Sequence, residues 1–414
     1  MNTNLPVWLD LNNFSDSSLN EFRNDSKKKL IDSRFPSNKI ESWRLANLKK
    51  LRNFINLPYS STIQNSLLDS FPSLKKESKN VFQIICDPLN SSLSSKKLPK
   101  GIEFIDENEI KKILTRNYSK KNIATKSWST LINSCSIQKI IGLRINGNNL
   151  PLIELLIPGA SNSFNSTRFI FFIEQNSNVK INQIIIGSET SAQSNIVQLF
   201  LDENSTVEHG YVALGGGDGN LLAKIAVEQK KLSKYSLTSL QHGWSFSRLE
   251  PKINQLEGQA NSLMKCLQIS KGYEQVSTHS YVCFDGPEGE LDQLNKSSAN
   301  DNSHSIFNGA IEVPRIAQKT QAAQLSRNLI LSKRAQIDTK PELEIIADDV
   351  RCTHGATVSQ LQEDELFYLR SRGIGSKQAN SLLLEGYYHE ILSNLPHYNE
   401  RLSFLNNFLS KYSI

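Results

Sequence analysis

The chain has 414 residues, 38% hydrophobic and 21% charged, with 20 glycines and 13 prolines. That ordinary globular composition excludes collagen-like, coiled-coil and wholly disordered classes and leaves room for two or three domains. Net charge is +6 but uneven: residues 1–121 hold 21 Lys and Arg against 13 Asp and Glu, residues 122–414 hold 26 against 28. The basic runs, such as Lys27–Lys29 and Lys75–Lys76, are interleaved with Ser and Asn and lack an aromatic-spaced stripe, so they read as solvated surface rather than a nucleic-acid face. Five cysteines without a C-x-x-C pair argue against a disulfide framework or zinc ribbon and for a reducing compartment, the cytoplasm. The most apolar runs, Leu152–Ile157 and Phe169–Ile173, fall far short of the ~18 residues a spanning helix needs. No secretory signal pattern opens the chain.

Residues 1–125 read as an N-terminal helical domain. Ser17-Ser18-Leu19-Asn20-Glu21-Phe22 resembles a capped helix start, with Leu19, Phe22 and Leu30 directed to a core. Arg34-Phe35-Pro36 breaks the chain, and Leu45, Leu48 and Leu51 then recur at helical spacing. Val81–Cys86 reads as an isolated strand, and Ser91–Lys97 as a loop.

Residues 126–358 change character. Short apolar pieces with period-two alternation, Ile181–Ile186, Val197–Leu201, Ala223–Val227, Leu263–Ile269 and Leu343–Ile346, point to a mainly β core. Phe172-Ile173-Glu174-Gln175-Asn176-Ser177-Asn178-Val179 is echoed 28 residues later by Phe200-Leu201-Asp202-Glu203-Asn204-Ser205-Thr206-Val207. A fainter copy starts at Ala226, 26 residues further on. Such a period fits one coil of a β-solenoid, in which each coil buries its side chains on the next; a β-sandwich would bring turn signals every ~8–12 residues.

Residues 359–414 read as a C-terminal helical domain. Glu363-Asp364-Glu365 suit the positive end of a helix carrying Leu366, Phe367 and Leu369, stopped at Gly373. Ser376 caps a second helix carrying Ala379, Leu382 and Leu383, ended by Gly386. Tyr398–Tyr412 makes a third, with Leu402, Leu405 and Leu409 on one side.

Catalytic and nucleotide motifs are missing: there is no P-loop, no G-x-S-x-G elbow and no H-E-x-x-H. Gly215-Gly216-Gly217-Asp218-Gly219 lacks the following Lys-Ser/Thr and reads as a solenoid turn. Cys352-Thr353-His354 is the one close Cys–His pair at alternating spacing, so on a strand its thiol and imidazole share a face. Two ligands cannot complete a tetrahedral site, which leaves half a site finished by another chain, or a structural pair. His279 and Cys283 share a strand face at a longer step, with Glu288, Glu290 and Asp292 as nearby acids for a cation.

Arg351-Cys352-Thr353-His354-Gly355-Ala356-Thr357-Val358, followed by Leu366-Phe367-Tyr368-Leu369-Arg370-Ser371-Arg372-Gly373-Ile374, resembles the C-terminal signature of the SufB/SufD family of iron–sulfur cluster assembly proteins. Phe307-Asn308-Gly309, Pro341-Glu342-Leu343-Glu344-Ile345, and upstream Phe35-Pro36 with Glu41-Ser42-Trp43-Arg44 also fit that family. The H-G-A-T form at His354–Thr357 looks like the SufD branch rather than the SufB branch. The resemblance implies a right-handed parallel β-helix core flanked by N-terminal and C-terminal α-helical domains, and a non-catalytic scaffold of the SufBCD complex that supports cluster assembly and iron acquisition. It implies SufB and the ABC-type ATPase SufC as partners, no nucleic acid and no membrane, and it allows a homodimer without SufB.

Under this resemblance Leu343, Ile345, Val350, Cys352 and His354 face SufB, and Leu366, Phe367, Tyr368, Arg370, Arg372 and Gly373 receive SufC. His354, with Cys352 as a second metal candidate, would join a SufB cysteine at a shared, transient iron–sulfur cluster. The SufB cysteine position aligns near Ile345, which cannot ligate. No cofactor is implied to be held stably by this chain alone, and flavin binding by the complex is left open. The rival class is a β-helix enzyme acting on polysaccharide, or a glycan-binding protein; a free-standing zinc enzyme lacks a third ligand.

Overall fold

The computed structural model describes residues 5–9, 19–76, 78–89, 97–115 and 127–410. Its strands sort into two nine-stranded sheets. The first holds β1 (Val81–Ile85), β4 (Leu152–Pro158), β6 (Asn178–Ile186), β8 (Thr206–Leu214), β10 (Lys234–His242), β12 (Asn261–Ser270), β14 (Glu290–Ala299), β16 (Gln321–Ile330) and β18 (Arg351–Ser359). The second holds β2 (Ile102–Phe104), β3 (Ile140–Ile145), β5 (Ser163–Ile173), β7 (Ser191–Leu201), β9 (Asn220–Gln229), β11 (Phe246–Gln255), β13 (Gln275–Phe284), β15 (His304–Val313) and β17 (Gln336–Ile345). From β3 onward each strand pairs in parallel with the strand two places on, so one coil is one strand from each wall. The protein is a mainly β chain with a parallel β-solenoid core and helices toward both ends.

The register explains the stack. Phe82, Ile153, Ile181, His209, Leu237, Met264, Gln293, Gln324 and His354 form one column along the first wall, each beside the next. Inward residues such as Ile153, Val207, Leu237 and Leu249 make the lumen core, while Leu156, Ile184, Val212 and Leu267 point outward under helices. Both faces of many strands are therefore covered, so the middle strands read as near-continuous apolar runs and the alternation in the sequence is blurred.

The echo is real, and its third copy is displaced. Phe172 sits beside Phe200, and Phe200 beside Glu228, a constant offset of 28; alignment by residue type gave 26. The turn is kept by backbone conformation. Asn176, Asn204 and Leu232 occupy the same left-handed position at φ 60°, 55° and 60°, and the Asn204 amide donates to Asn176 Oδ1 at 2.7 Å. Asn tolerates that region and Leu does not favour it, so the sequence signal fades where the geometry persists. Gly215 belongs to a close turn: a Cβ there would strike the Gly243 backbone.

Helices α1 (Asn20–Asp32), α2 (Leu48–Leu51), α3 (Asn53–Asn56), α4 (Pro72–Lys75), α5 (Glu107–Thr115) and α6 (Trp128–Ser136) precede or enter the solenoid. Trp8, Trp43, Phe54 and Trp128 pack on the outer face of the second wall against Phe164, Ala192, Leu222 and Phe246. Helices α7 (Glu363–Ser371), α8 (Ser376–Leu392) and α9 (Phe404–Ser410) follow it. Leu384, Tyr388, Ile391, Leu402 and Leu405 pack on the outer face of the first wall. Buried Arg401 fixes them by donating to both carboxylate oxygens of Glu154, at 3.1 and 2.6 Å. Among the described residues no helix is long and apolar enough to cross a membrane.

Several local expectations change. Val81–Ile85 is not isolated but pairs with β4. Leu45, Leu48 and Leu51 do not share one helix: a 3₁₀ turn at Glu41–Trp43 and the short α2 and α3 replace it, because this segment is strapped to the solenoid wall. Gly386 does not end α8, which runs on to Leu392; nothing crowds that glycine, and tertiary packing of the following turns overrides its low propensity. The third helix splits at a π-helical turn, Tyr398–Leu402, although Leu402, Leu405 and Leu409 are all buried. Leu19 and Leu30 are core residues; Ser17, Ser18, most of Ser91–Lys97 and Tyr412 lie outside the described residues.

Candidate functional site: the open rim of the solenoid

The solenoid ends on β17 and β18. Each has one neighbour, β15 and β16 respectively, and among the described residues no strand pairs with the far edge of either. The C-terminal helices do not seal this end, since they lie along the outer face of the first wall. An uncovered pair of strand edges presents a row of backbone donors and acceptors.

Register sets the inward residues of the last coil. Cys352 lies beside Ala322 and His354 beside Gln324, and both neighbours are buried. Cys352 is half-buried against the lumen core; His354 is exposed because, among the described residues, no further coil covers it. The expected face-sharing of thiol and imidazole therefore holds, and the face looks out of the open end. Partial burial pushes the Cys352 thiol up from its ordinary value, partly offset by a backbone hydrogen bond from Ala322. At neutral pH it is a thiol, and metal binding would have to displace its proton. The His354 side chain has no hydrogen-bond or ion-pair partner among the described residues.

Beneath the pair the lumen is polar. Gln324 donates to Gln293 Oε1 at 2.9 Å, Gln293 donates to Ser280 Oγ at 2.8 Å, and Thr339 donates to Ser326 Oγ at 3.0 Å across the two walls. Gly309 makes room for this floor, because a Cβ there would collide with the Gln324 amide. In the early coils the same column is Ile153 and Ile181. Sequence reading missed Gln324, Ser326 and Thr339; the step from Gln324 to His354 is 30 residues, so counting back by the 28-residue echo reaches Ser326 instead.

The other proposed rim residues divide. Leu343 and Val350 are half-buried against the lumen core, while Ile345 is 42% exposed. Ile346 and Val358 are exposed as well and were not among the residues expected to face SufB. On α7, Phe367 is 73% and Tyr368 58% exposed, Leu366 is half-buried, and Arg370, Arg372 and Gly373 are exposed. The Arg372 guanidinium lies 5.4 Å from the Tyr368 ring centre, and Gly373 ends the helix at φ 85°. No residue of α7 is fully buried: Leu366 and Leu369 are half-buried, while Phe367 and Tyr368 stay exposed.

Other metal readings fail. Among the described residues no three His, Cys, Asp or Glu side chains cluster to hold an ion. His279 Nε2 is engaged by Arg248 Nη1 at 2.9 Å, and Cys283 is buried against Asp285. Glu290 accepts from Asn261 at 2.6 Å and Glu288 from Gln259 at 2.9 Å, on separate sides of a turn. Burial holds the Cys135 and Cys266 thiols up to about 12 and about 11.

The profile described as SUF system FeS cluster assembly, SufBD core domain, matches residues 156–387. The chain belongs to that family. The match runs from the early coils through the rim into α8, so the family's shared part contains both Cys352 and His354. An iron–sulfur cluster assembly SufBD family protein of Synechocystis is 42% identical over 180 residues, 44% of this chain and 40% of that relative. The Escherichia coli iron–sulfur cluster assembly protein SufD is 43% identical over 103 residues, 25% of this chain and 24% of that relative. A chloroplastic Arabidopsis thaliana protein, ABCI7, is 26% identical over 402 residues, 91% of this chain and 83% of its own. The family is described as one of iron–sulfur cluster assembly, and the chain spans less than half the length of the Synechocystis and E. coli relatives.

Proposed function

We propose that the chain is a SufD-type, non-catalytic scaffold that pairs with SufB across the rim and carries SufC on α7, in the cytoplasm. The observation that carries this reading is the last coil, where His354 and Cys352 face out of a lumen that, among the described residues, no further strand covers. Docking of a paralogous solenoid end would extend both walls and supply the missing ligands, since neither residue alone nor the pair completes a metal site. His354 is the primary ligand in this reading and Cys352 an auxiliary one, holding a cluster that is cargo rather than a resident cofactor. The exposed Phe367 and Tyr368 would be covered by SufC. Motion driven by its ATP cycle would then reach β18 through the short link between β18 and α7, provided the rim has two discrete arrangements.

Co-expression with SufB and SufC tests this reading. The chain is expected to co-purify with both, and His354→Ala to leave the complex assembled while lowering cluster formed in reconstitution. Failure to co-purify with either protein overturns the scaffold reading, and an unchanged cluster yield removes His354 from the site.

A further inference from the structure

A second concavity lies on the outer face of the second wall, away from the lumen. Its roof is the strap Glu41–Ala46 and its floor the outward side chains of β11, β13, β15 and β17, enclosing about 330 Å³. That volume falls at the lower end of the ~300–1,000 Å³ typical of small-molecule pockets.

The strap is held open by tethers rather than collapsed onto the wall. Gln275 accepts from Asn47 N at 2.6 Å and donates to Leu45 O at 3.0 Å. Arg248 donates to Ser42 O at 2.7 Å, and its guanidinium lies 4.2 Å from the Trp43 ring centre. Lys340 closes the far end through Glu41 at 2.5 Å. A cleft built this way needs little reorganisation to receive a ligand.

Of the two acids lining it, Glu41 is paired with Lys340 at 2.5 Å and Asp338 accepts from His304 Nε2 at 2.6 Å, whose Nδ1 accepts in turn from Gln275 at 3.0 Å. Arg44, exposed at the mouth, makes no ion pair among the described residues. Beside the floor Glu250 forms an ion pair with Arg248 at 2.6 Å and also feels Lys224 and Lys252. Burial first, then the neighbouring cations, pushes Lys224 down to about 7.

His279 supplies direction. Its Nε2 accepts from Arg248 at 2.9 Å, which assigns the ring hydrogen to Nδ1. Among the described residues Nδ1 has no acceptor, and His279 lines the cleft. We propose that this cleft binds a small organic carboxylate, its anionic group accepting from His279 Nδ1–H beside Arg248 and Arg44, and its body lying on Leu45, Ala46 and Ile306.

Calorimetric titration of the full chain with benzoate tests this, with benzyl alcohol as the neutral analogue and inorganic phosphate as the anion without an apolar body. One saturable site for benzoate is expected, with benzyl alcohol and phosphate each about tenfold weaker or worse, the size of one lost charge-assisted hydrogen bond or apolar contact. His279→Ala is expected to weaken benzoate about tenfold, and Arg44→Gln several-fold. Because Arg44 is exposed, its variant reads out binding even where His279→Ala fails to fold. No saturable benzoate binding below ~10 mM, equal affinity for benzyl alcohol or phosphate, or an affinity unmoved by Arg44→Gln would each overturn the proposal.

Discussion

The two ends of the solenoid are built from the same coil and differ in what lies beyond them. At the start, every residue of β4 is buried, between a lumen of Ile153, Leu155 and Ile157 and an outer layer that includes Leu68 and Phe71. At the finish, no residue of β18 is buried, although its register on β16 is unbroken over nine pairs. The chemistry of the inward column changes in step, from Ile153 and Ile181 to Gln293, Gln324 and His354. The contrast teaches that exposure at the rim comes from a missing neighbour and not from a different local structure. A coil whose inward residues are Ile requires covering at once, whereas one floored by hydrogen-bonded Gln, Ser and Thr can wait for a partner.

Breaking the closed end should cost far more stability than altering the open one. Arg401→Ala leaves Glu154, fully buried, without its bidentate cation, and is expected to destabilise by about 3–5 kcal/mol. Leu155→Ala, in the lumen of the early coils, is expected to cost about 2–5 kcal/mol. Val358→Ala at the rim should cost less than about 0.5 kcal/mol. Urea unfolding midpoints compare the three; a rim loss equal to the lumen loss would erase the distinction between the ends.

A pH series sharpens the comparison. Burial lowers His209 to about 3 and His242 to about 4, below the value each takes in the unfolded chain. The unfolded state then binds more protons, so stability from these groups is complete above about 6.5 and lost as pH falls toward the folded values. Unfolding midpoints should fall from pH 6.5 to 4.5, and His242→Gln should flatten that slope by up to about 1.4 kcal/mol per pH unit.

The smallest effect concerns the thiols. Cys86, Cys135, Cys266 and Cys283 are buried, and Cys352 is half-buried. Native alkylation followed by mass spectrometry should label Cys352 first, and more slowly than a free thiol because its proton is held. Equal labelling of Cys266 would mean that the lumen opens as readily as the rim.

Much of this architecture was legible in the sequence, and the failures have physical causes. The 28-residue echo of Phe172 at Phe200 gave the solenoid because parallel in-register stacking puts like residues side by side. It slipped by two at Ala226, where Leu232 takes a turn conformation that Asn176 and Asn204 had advertised. The Cys352–His354 pair was found by strand alternation alone. Its floor was not, since Gln324 and Thr339 come from other coils and different walls, and only the register joins them. The cleft under Glu41–Ala46 left no local signal at all: Trp43 and Arg248 are 205 residues apart in the chain, and helical spacing of Leu45, Leu48 and Leu51 pointed to a different structure.

Amide hydrogen exchange over residues 336–359, in the chain alone and with SufB added, tests the central claim most directly. Slowed exchange confined to β17 and β18 on adding SufB, with β4 to β8 unchanged, is the result this account predicts. Exchange at those two strands that is already as slow in the chain alone as in the early coils, or that does not respond to SufB, would contradict it.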